Sequence, residues 1–95
     1  MPAPDIRRVT QILKALASEN RLRLYLAIRE AEQLSVEGAK CFTSDIAARL
    51  KIGAPTVSHH LKELERAGLI RTEREGKRIT ATLDPSTAAL VKDLL

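Results

Sequence analysis

Aromatic residues are nearly absent. Tyr25 and Phe42 are the only two in 95 positions, and there is no tryptophan, so the interior has to be built from Leu, Ile, Val and Ala. Cysteine is scarcer still. A single thiol, Cys41, excludes a disulfide framework within the chain and points to a reducing compartment. No apolar run approaches the roughly 20 residues that a membrane helix needs. The start, Met1-Pro2-Ala3-Pro4-Asp5, lacks the basic and then apolar regions of a signal peptide. The expectation is a cytoplasmic protein with no membrane contact.

What is present suits a folded chain. Hydrophobic residues make up 44% and charged residues 29%, an ordinary globular balance. Residues 1–95 fit a single domain and leave no room for a second. A chain this short buries a modest share of its surface, so a homodimer is expected before any motif is read. The net charge of +4 is compatible with a nucleic-acid partner but does not by itself select one.

Periodicity divides the chain into seven elements. Ile6, Val9, Leu13 and Leu16 recur at helical steps, predicting a helix over 5–17. Ser18 or Asn20 caps a second helix, whose Leu22, Leu24, Tyr25, Leu26 and Ile28 are too many for one stripe, so it is the central helix. Gly38 reads as a helix stop or turn. Thr43 or Ser44 then caps a short helix with Ile46, Ala47 and Leu50 on one side. After the tight Lys51-Ile52-Gly53 connection, Pro55 opens a helix over 54–67 with Val57, Leu61 and Leu64 inward and Gly68 as its stop. The pattern becomes alternating across 70–83, broken at Glu75-Gly76: two strands in a hairpin, with Ile79, Ala81 and Leu83 on one face and Arg78, Thr80 and Thr82 on the other. Asp84-Pro85 is a cap and first-turn proline for a last helix carrying Ala88, Val91 and Leu94 or Leu95. The fold class is mainly α with a small β-hairpin, in the order α-α-α-α-β-β-α.

Two helices joined by a very short turn and followed by a basic hairpin describe a winged helix-turn-helix. With Val57, Leu61 and Leu64 turned inward, Thr56, Ser58, His59 and Lys62 face outward near the N-terminal end of the helix over 54–67. These short hydrogen-bonding side chains can approach base edges in a major groove, and the helix N-terminus offers backbone N–H groups to phosphate. The competing reading is that Thr56 and Ser58 only start a helix. The hairpin carries Arg71, Arg74, Lys77 and Arg78 around Gly76, placed to meet a DNA backbone or minor groove. Its competing reading is a sheet edge blunted by charge, and Glu73 and Glu75 dilute its field.

Two segments resemble one family. Leu13-Lys-Ala-Leu-Ala-Ser-Glu-Asn-Arg-Leu-Arg-Leu24 is similar to the opening signature of the ArsR/SmtB transcriptional regulators. Pro55-Thr-Val-Ser-His-His-Leu-Lys-Glu-Leu-Glu-Arg-Ala-Gly-Leu-Ile70 resembles their recognition helix and first wing strand. The resemblance implies a homodimeric repressor on a palindromic double-stranded DNA operator, released when an effector binds. It places DNA contacts on Thr56, Ser58, His59 and Lys62, with Lys77 and Arg78 contributing from the wing beside Arg74. It gives Ile6, Val9, Leu13, Leu90, Val91 and Leu94 as dimer-interface candidates, each of which could equally pack within one subunit. The chain departs from the pattern at Lys51, where a glycine is common, and at Gly53, which replaces a capping serine. The stretch between the second and third helices is also longer than in the compact metal sensors.

No metal site and no cofactor are expected. Phe42 and Ser44 stand where some relatives have a Cys-x-Cys pair ahead of Asp45. The last helix has Asp84 and Asp93 but no histidine, and adjacent His59 and His60 project in different directions. Cys41 is a candidate thiol sensor, against the plainer reading of a half-buried small hydrophobe. The effector stays unknown. A protein-docking winged helix is the competing class, but its recognition surface should be apolar or acidic rather than hydroxyl-rich and basic. A thiol enzyme would need an orienting group and an oxyanion loop, and neither is apparent.

Overall fold

The computed structural model describes residues 5–34 and 41–94. The predicted order holds throughout: α1 (Ile6–Leu16), α2 (Glu19–Leu34), α3 (Thr43–Leu50), α4 (Ala54–Arg66), β1 (Ile70–Glu75), β2 (Arg78–Leu83) and α5 (Pro85–Leu94). The Gly38 stop and the N-terminal Met1–Pro4 reading lie outside the described residues, as does Leu95.

Helix α2 is the centre. It buries Leu24, Tyr25, Ala27 and Ile28 and packs against α1, α3, α4 and β2, so four buried positions in one helix are shared among four neighbours. The core is aliphatic around Tyr25: Ile12 and Leu16 from α1, Ile46 from α3, Val57, Leu61 and Leu64 from α4, Leu69 just ahead of the hairpin, Ile70 and Ala81 within it, and Val91 from α5. Among the described residues the Tyr25 hydroxyl has no hydrogen-bond partner, and burial pushes its pKa up.

Three local expectations are corrected. The first concerns α1, which turns Ile12, Ala15 and Leu16 into the core and leaves Ile6 and Leu13 70% and 50% exposed. The stripe Ile6–Val9–Leu13 therefore lies on a flank of the helix rather than its inner face. The second concerns α3, whose N-cap position is Phe42 and carries no side-chain cap. Thr43 is buried, and its hydroxyl donates to the Ile79 carbonyl at 3.2 Å, so it joins α3 to β2 instead of capping. The third is Thr80, placed on the face opposite Ala81 yet buried like it. The Cys41-Phe42 segment lies along β2, with the Ala81 amide donating to the Cys41 carbonyl at 3.0 Å and Phe42 bridged to Thr80. That segment pairs along the outer edge of β2, and the Thr80 hydroxyl donates to the Glu73 carbonyl at 3.3 Å.

The hairpin pairs Ile70 with Leu83 through Glu75 with Arg78, antiparallel, around Gly76-Lys77. Gly76 has φ +61° and Lys77 does not share a positive φ, the pattern of a type II′ turn. Asp84 caps α5 as expected. Its Oδ1 accepts from the Ser86 amide at 3.0 Å and the Ser86 hydroxyl at 2.7 Å, while Oδ2 accepts from Arg71 Nη2 at 3.1 Å. Among the described residues no helix is long and apolar enough to cross a membrane.

Candidate nucleic-acid interface

The helix-turn-helix is set by how α3 ends. Its chain turns at Lys51, which adopts a left-handed φ of +58°, and the Ile52 amide donates back to Ala47 at 3.0 Å. Two residues later α4 begins. Arg23, from the second Arg-Leu of the opening signature, donates from Nη2 to the Leu50 carbonyl at 3.3 Å and closes the C-terminus of α3. Sequence reading did not single out Arg23 for this role. A basic residue spaced to reach a neighbouring helix end is a weak signal without three dimensions.

The inward stripe of α4 is as predicted. Val57, Leu61 and Leu64 are buried, which leaves Thr56, Ser58, His59 and Lys62 exposed on the opposite side of the helix. Gly53 occupies the N-cap with no side-chain hydrogen bond, and Pro55 has no N–H to satisfy. The Ala54 and Thr56 amides, ahead of the first intrahelical bond from Val57 to Gly53 at 2.9 Å, are therefore available to an anion.

His59 and His60 are neighbours with different surroundings. Their ring centroids are 5.7 Å apart and tilted by 52°. His59 is exposed. His60 is half-buried, and among the described residues its enclosed Nδ1 has no partner, nor has Nε of Arg21. Burial lowers the His60 pKa, and the Arg21 guanidinium adds to the effect, which favours the neutral imidazole. Among the described residues, no three His, Cys, Asp or Glu side chains converge as a metal site would need.

The hairpin divides its cations into two kinds. Arg74 and Lys77 are exposed and form no ion pair among the described residues. Arg71 is held by Asp84 at 3.1 Å. Arg78, expected to reach DNA, is turned back instead. Its Nη2 lies 3.1 and 3.0 Å from Oδ1 and Oδ2 of Asp45, and its guanidinium stacks 3.6 Å above the Phe42 ring. At 47% exposure the side chain still meets water, but its head is committed to α3.

The dimer candidates separate as well. Ile6, Leu13 and Leu94 are large exposed apolar side chains, with Val9 and Leu90 half-buried beside them. Val91 is 0% exposed within the subunit and has no surface to lose to a partner, so it is core, not interface. Cys41 is half-buried. Burial raises its thiol pKa, with the Glu32 carboxylate adding to the effect, so the thiol stays protonated at neutral pH.

Residues 16–73, more than half of the chain, match the model of a helix-turn-helix domain family. The HTH-type transcriptional repressor SmtB of Mycobacterium tuberculosis is 32% identical over 97% of this chain and 66% of its own length. The transcriptional activator HlyU of Vibrio cholerae is 31% identical over 88% of this chain and 70% of its own length. The chain spans 57% of another curated relative. Among solved structures, the homodimeric winged helix-turn-helix DNA-binding domain of Mb0332 from Mycobacterium bovis superposes with a TM-score of 0.73 at 24% identity, over 94% of this chain and 75% of that one. With the α3–turn–α4 unit and the hairpin of the same fold, these matches make the chain a member of the ArsR/SmtB-type winged helix-turn-helix regulators.

Proposed function

We propose that the chain is a sequence-specific DNA-binding transcriptional regulator, a homodimer that represses from a palindromic operator. The observation that carries this reading is the outward face of α4. Thr56, Ser58, His59 and Lys62 stand exposed beside uncapped helix amides, while Val57, Leu61 and Leu64 anchor the helix from behind. Short polar side chains and one cation suit base edges and phosphates in a major groove. Arg74 and Lys77 extend the contact to backbone or minor groove from the hairpin.

The dimer pairs the flank of α1 bearing Ile6, Val9 and Leu13 with Leu90 and Leu94 of α5. Exposed apolar side chains on two neighbouring elements are what a second copy would cover. Two α4 helices then read half-sites about one helical turn apart, roughly 10 bp. On this reading the protein is a binding protein of the cytoplasm rather than an enzyme. Repression follows the repressors among its relatives. HlyU, named an activator, shows that members differ in sign.

The test is selection of duplexes from a random pool by the purified protein, with and without reductant and zinc. An enriched inverted repeat supports the reading, and loss on oxidation or with zinc names the effector class. No enrichment at low salt sinks it and leaves a protein-docking winged helix. For a thiol switch at Cys41, burial raises the thiol pKa and so lowers the thiolate fraction that would react at neutral pH.

A further inference from the structure

The hairpin is a two-stranded sheet, and such a sheet is marginal in water without outside support. Its base is tied down several times. Glu65 Oε2 accepts from the Thr72 amide at 2.9 Å and its hydroxyl at 2.6 Å. Glu32 Oε1 accepts from the Leu83 amide at 2.8 Å. Nearer the tip, Thr43 of α3 donates to the Ile79 carbonyl at 3.2 Å. Arg78, paired with Glu75, is the first residue of β2 after the Gly76-Lys77 turn, and it reaches away from the hairpin to α3.

The far end of that tie is well built. Asp45 is the third residue of α3, where a carboxylate is favoured by the helix N-terminus. Both its oxygens lie within 3.1 Å of Arg78 Nη2, and Ser44 Oγ accepts from the same nitrogen at 3.5 Å. The planar guanidinium rests on Phe42, the residue that bridges to Thr80 of β2. One side chain thus links the hairpin tip to the first helix of the helix-turn-helix, and α3 is joined by a short turn to α4.

We infer that Asp45 is a positioning residue for DNA binding: through Arg78 it fixes where the hairpin tip stands relative to the outward face of α4. The inference rests on the DNA-binding reading above. Arg78 is a clamp, and Lys77 and Arg74 are the hairpin's phosphate contacts. A protein without the clamp has to order the tip when DNA arrives, and that ordering subtracts from affinity.

The sign of one substitution separates a clamp from a plain phosphate contact. Removing a carboxylate beside a DNA surface raises affinity on electrostatics alone. The clamp requires the reverse: Asp45→Asn weakens operator binding about three- to tenfold over the two subunits, in keeping with an exposed ion pair. The slope of log affinity against log salt is unchanged, and the DNA-free protein shows faster amide hydrogen exchange over residues 76–79. Arg78→Lys keeps the charge but not the stack or the planar geometry, and it loses a similar amount. Asp45→Glu recovers most of the binding. Equal or tighter binding by Asp45→Asn, or unchanged exchange at the tip, overturns the inference. A wild-type chain that binds no duplex sinks the DNA reading instead, and that failure appears before any substitution is made.

Discussion

Helix α4 and the hairpin both present exposed cations, yet they are held in opposite ways. The helix rests on three buried aliphatic side chains, and none of its four outward candidates has a hydrogen bond or ion pair among the described residues. The hairpin buries little beyond Ile70, Thr80 and Ala81 and is held by polar ties to α2, α3, α4 and α5. The difference shows that exposure does not mean availability. Lys62 and Arg78 look alike in the sequence, but only Arg78 is already spoken for.

The largest test of this contrast is on stability. Leu64, fully buried, is the anchor of α4, and Leu64→Ala costs about 2–5 kcal/mol in denaturant unfolding, as large-to-small core changes do. Thr72→Val removes only the hydroxyl tie to Glu65 and costs about 1 kcal/mol. Comparable losses at the two sites would break the distinction between a helix held by burial and a hairpin held by polar contacts.

The second test is on DNA. His59→Ala narrows the preference for the operator over single-base variants by about 1 kcal/mol, leaving binding to unrelated duplexes little changed. Lys77→Ala weakens all duplexes alike and lowers the salt slope by about one per subunit. Competition binding at several salt concentrations reads both. A sequence-dependent effect from Lys77, or a uniform one from His59, would reverse the assigned roles.

The third concerns acid. Hydrogen bonds from Ser86, then the Thr87 amide and Arg71, hold the Asp84 carboxyl well below the usual carboxylate range. The stability this confers is complete above the unfolded-state value of about 3.9 and is lost as the pH falls towards the lower folded value. Asp84→Asn keeps a capping side chain but loses the charge. Its melting temperature therefore falls less steeply below pH 4 than that of the wild type. Parallel acid limbs for the two proteins would show that Asp84 is not the titrating support of α5.

Which parts of this were legible in the sequence follows from what periodicity measures. Repeat spacing reports which side of an element is buried, so the order of elements, the stripe of α4 and its four outward residues could all be read directly. The Asp84-Pro85 cap was equally legible because it is local. Contacts between elements distant in sequence were not. The Asp45–Arg78 clamp spans 33 positions and the Thr43–Ile79 bond 36, and no spacing rule joins them. Val91 was misplaced for a related reason. An apolar residue on a helix can face its own subunit or another, and only the packing of α5 on the core decides which.

The smallest effect expected returns to the hinge between the two helices of the reading unit. Lys51 has φ +58° at the C-cap of α3, a conformation that crowds a Cβ against the following carbonyl and costs a non-glycine residue about 1–2 kcal/mol. Glycine relieves that strain but gives back part of the gain by making the unfolded chain more flexible. The net expectation for Lys51→Gly is a gain of about 0.5–1 kcal/mol, read in thermal or denaturant unfolding. The turn itself is fixed by the Lys51 and Ile52 amides bonded back to Ala48 and Ala47, and neither bond uses the lysine side chain. The angle between α3 and α4 should therefore survive, and with it the operator preference. Stability that rose while preference fell would mean that the strained residue contributes to recognition, and the hinge would then belong with α4 among the parts that read DNA.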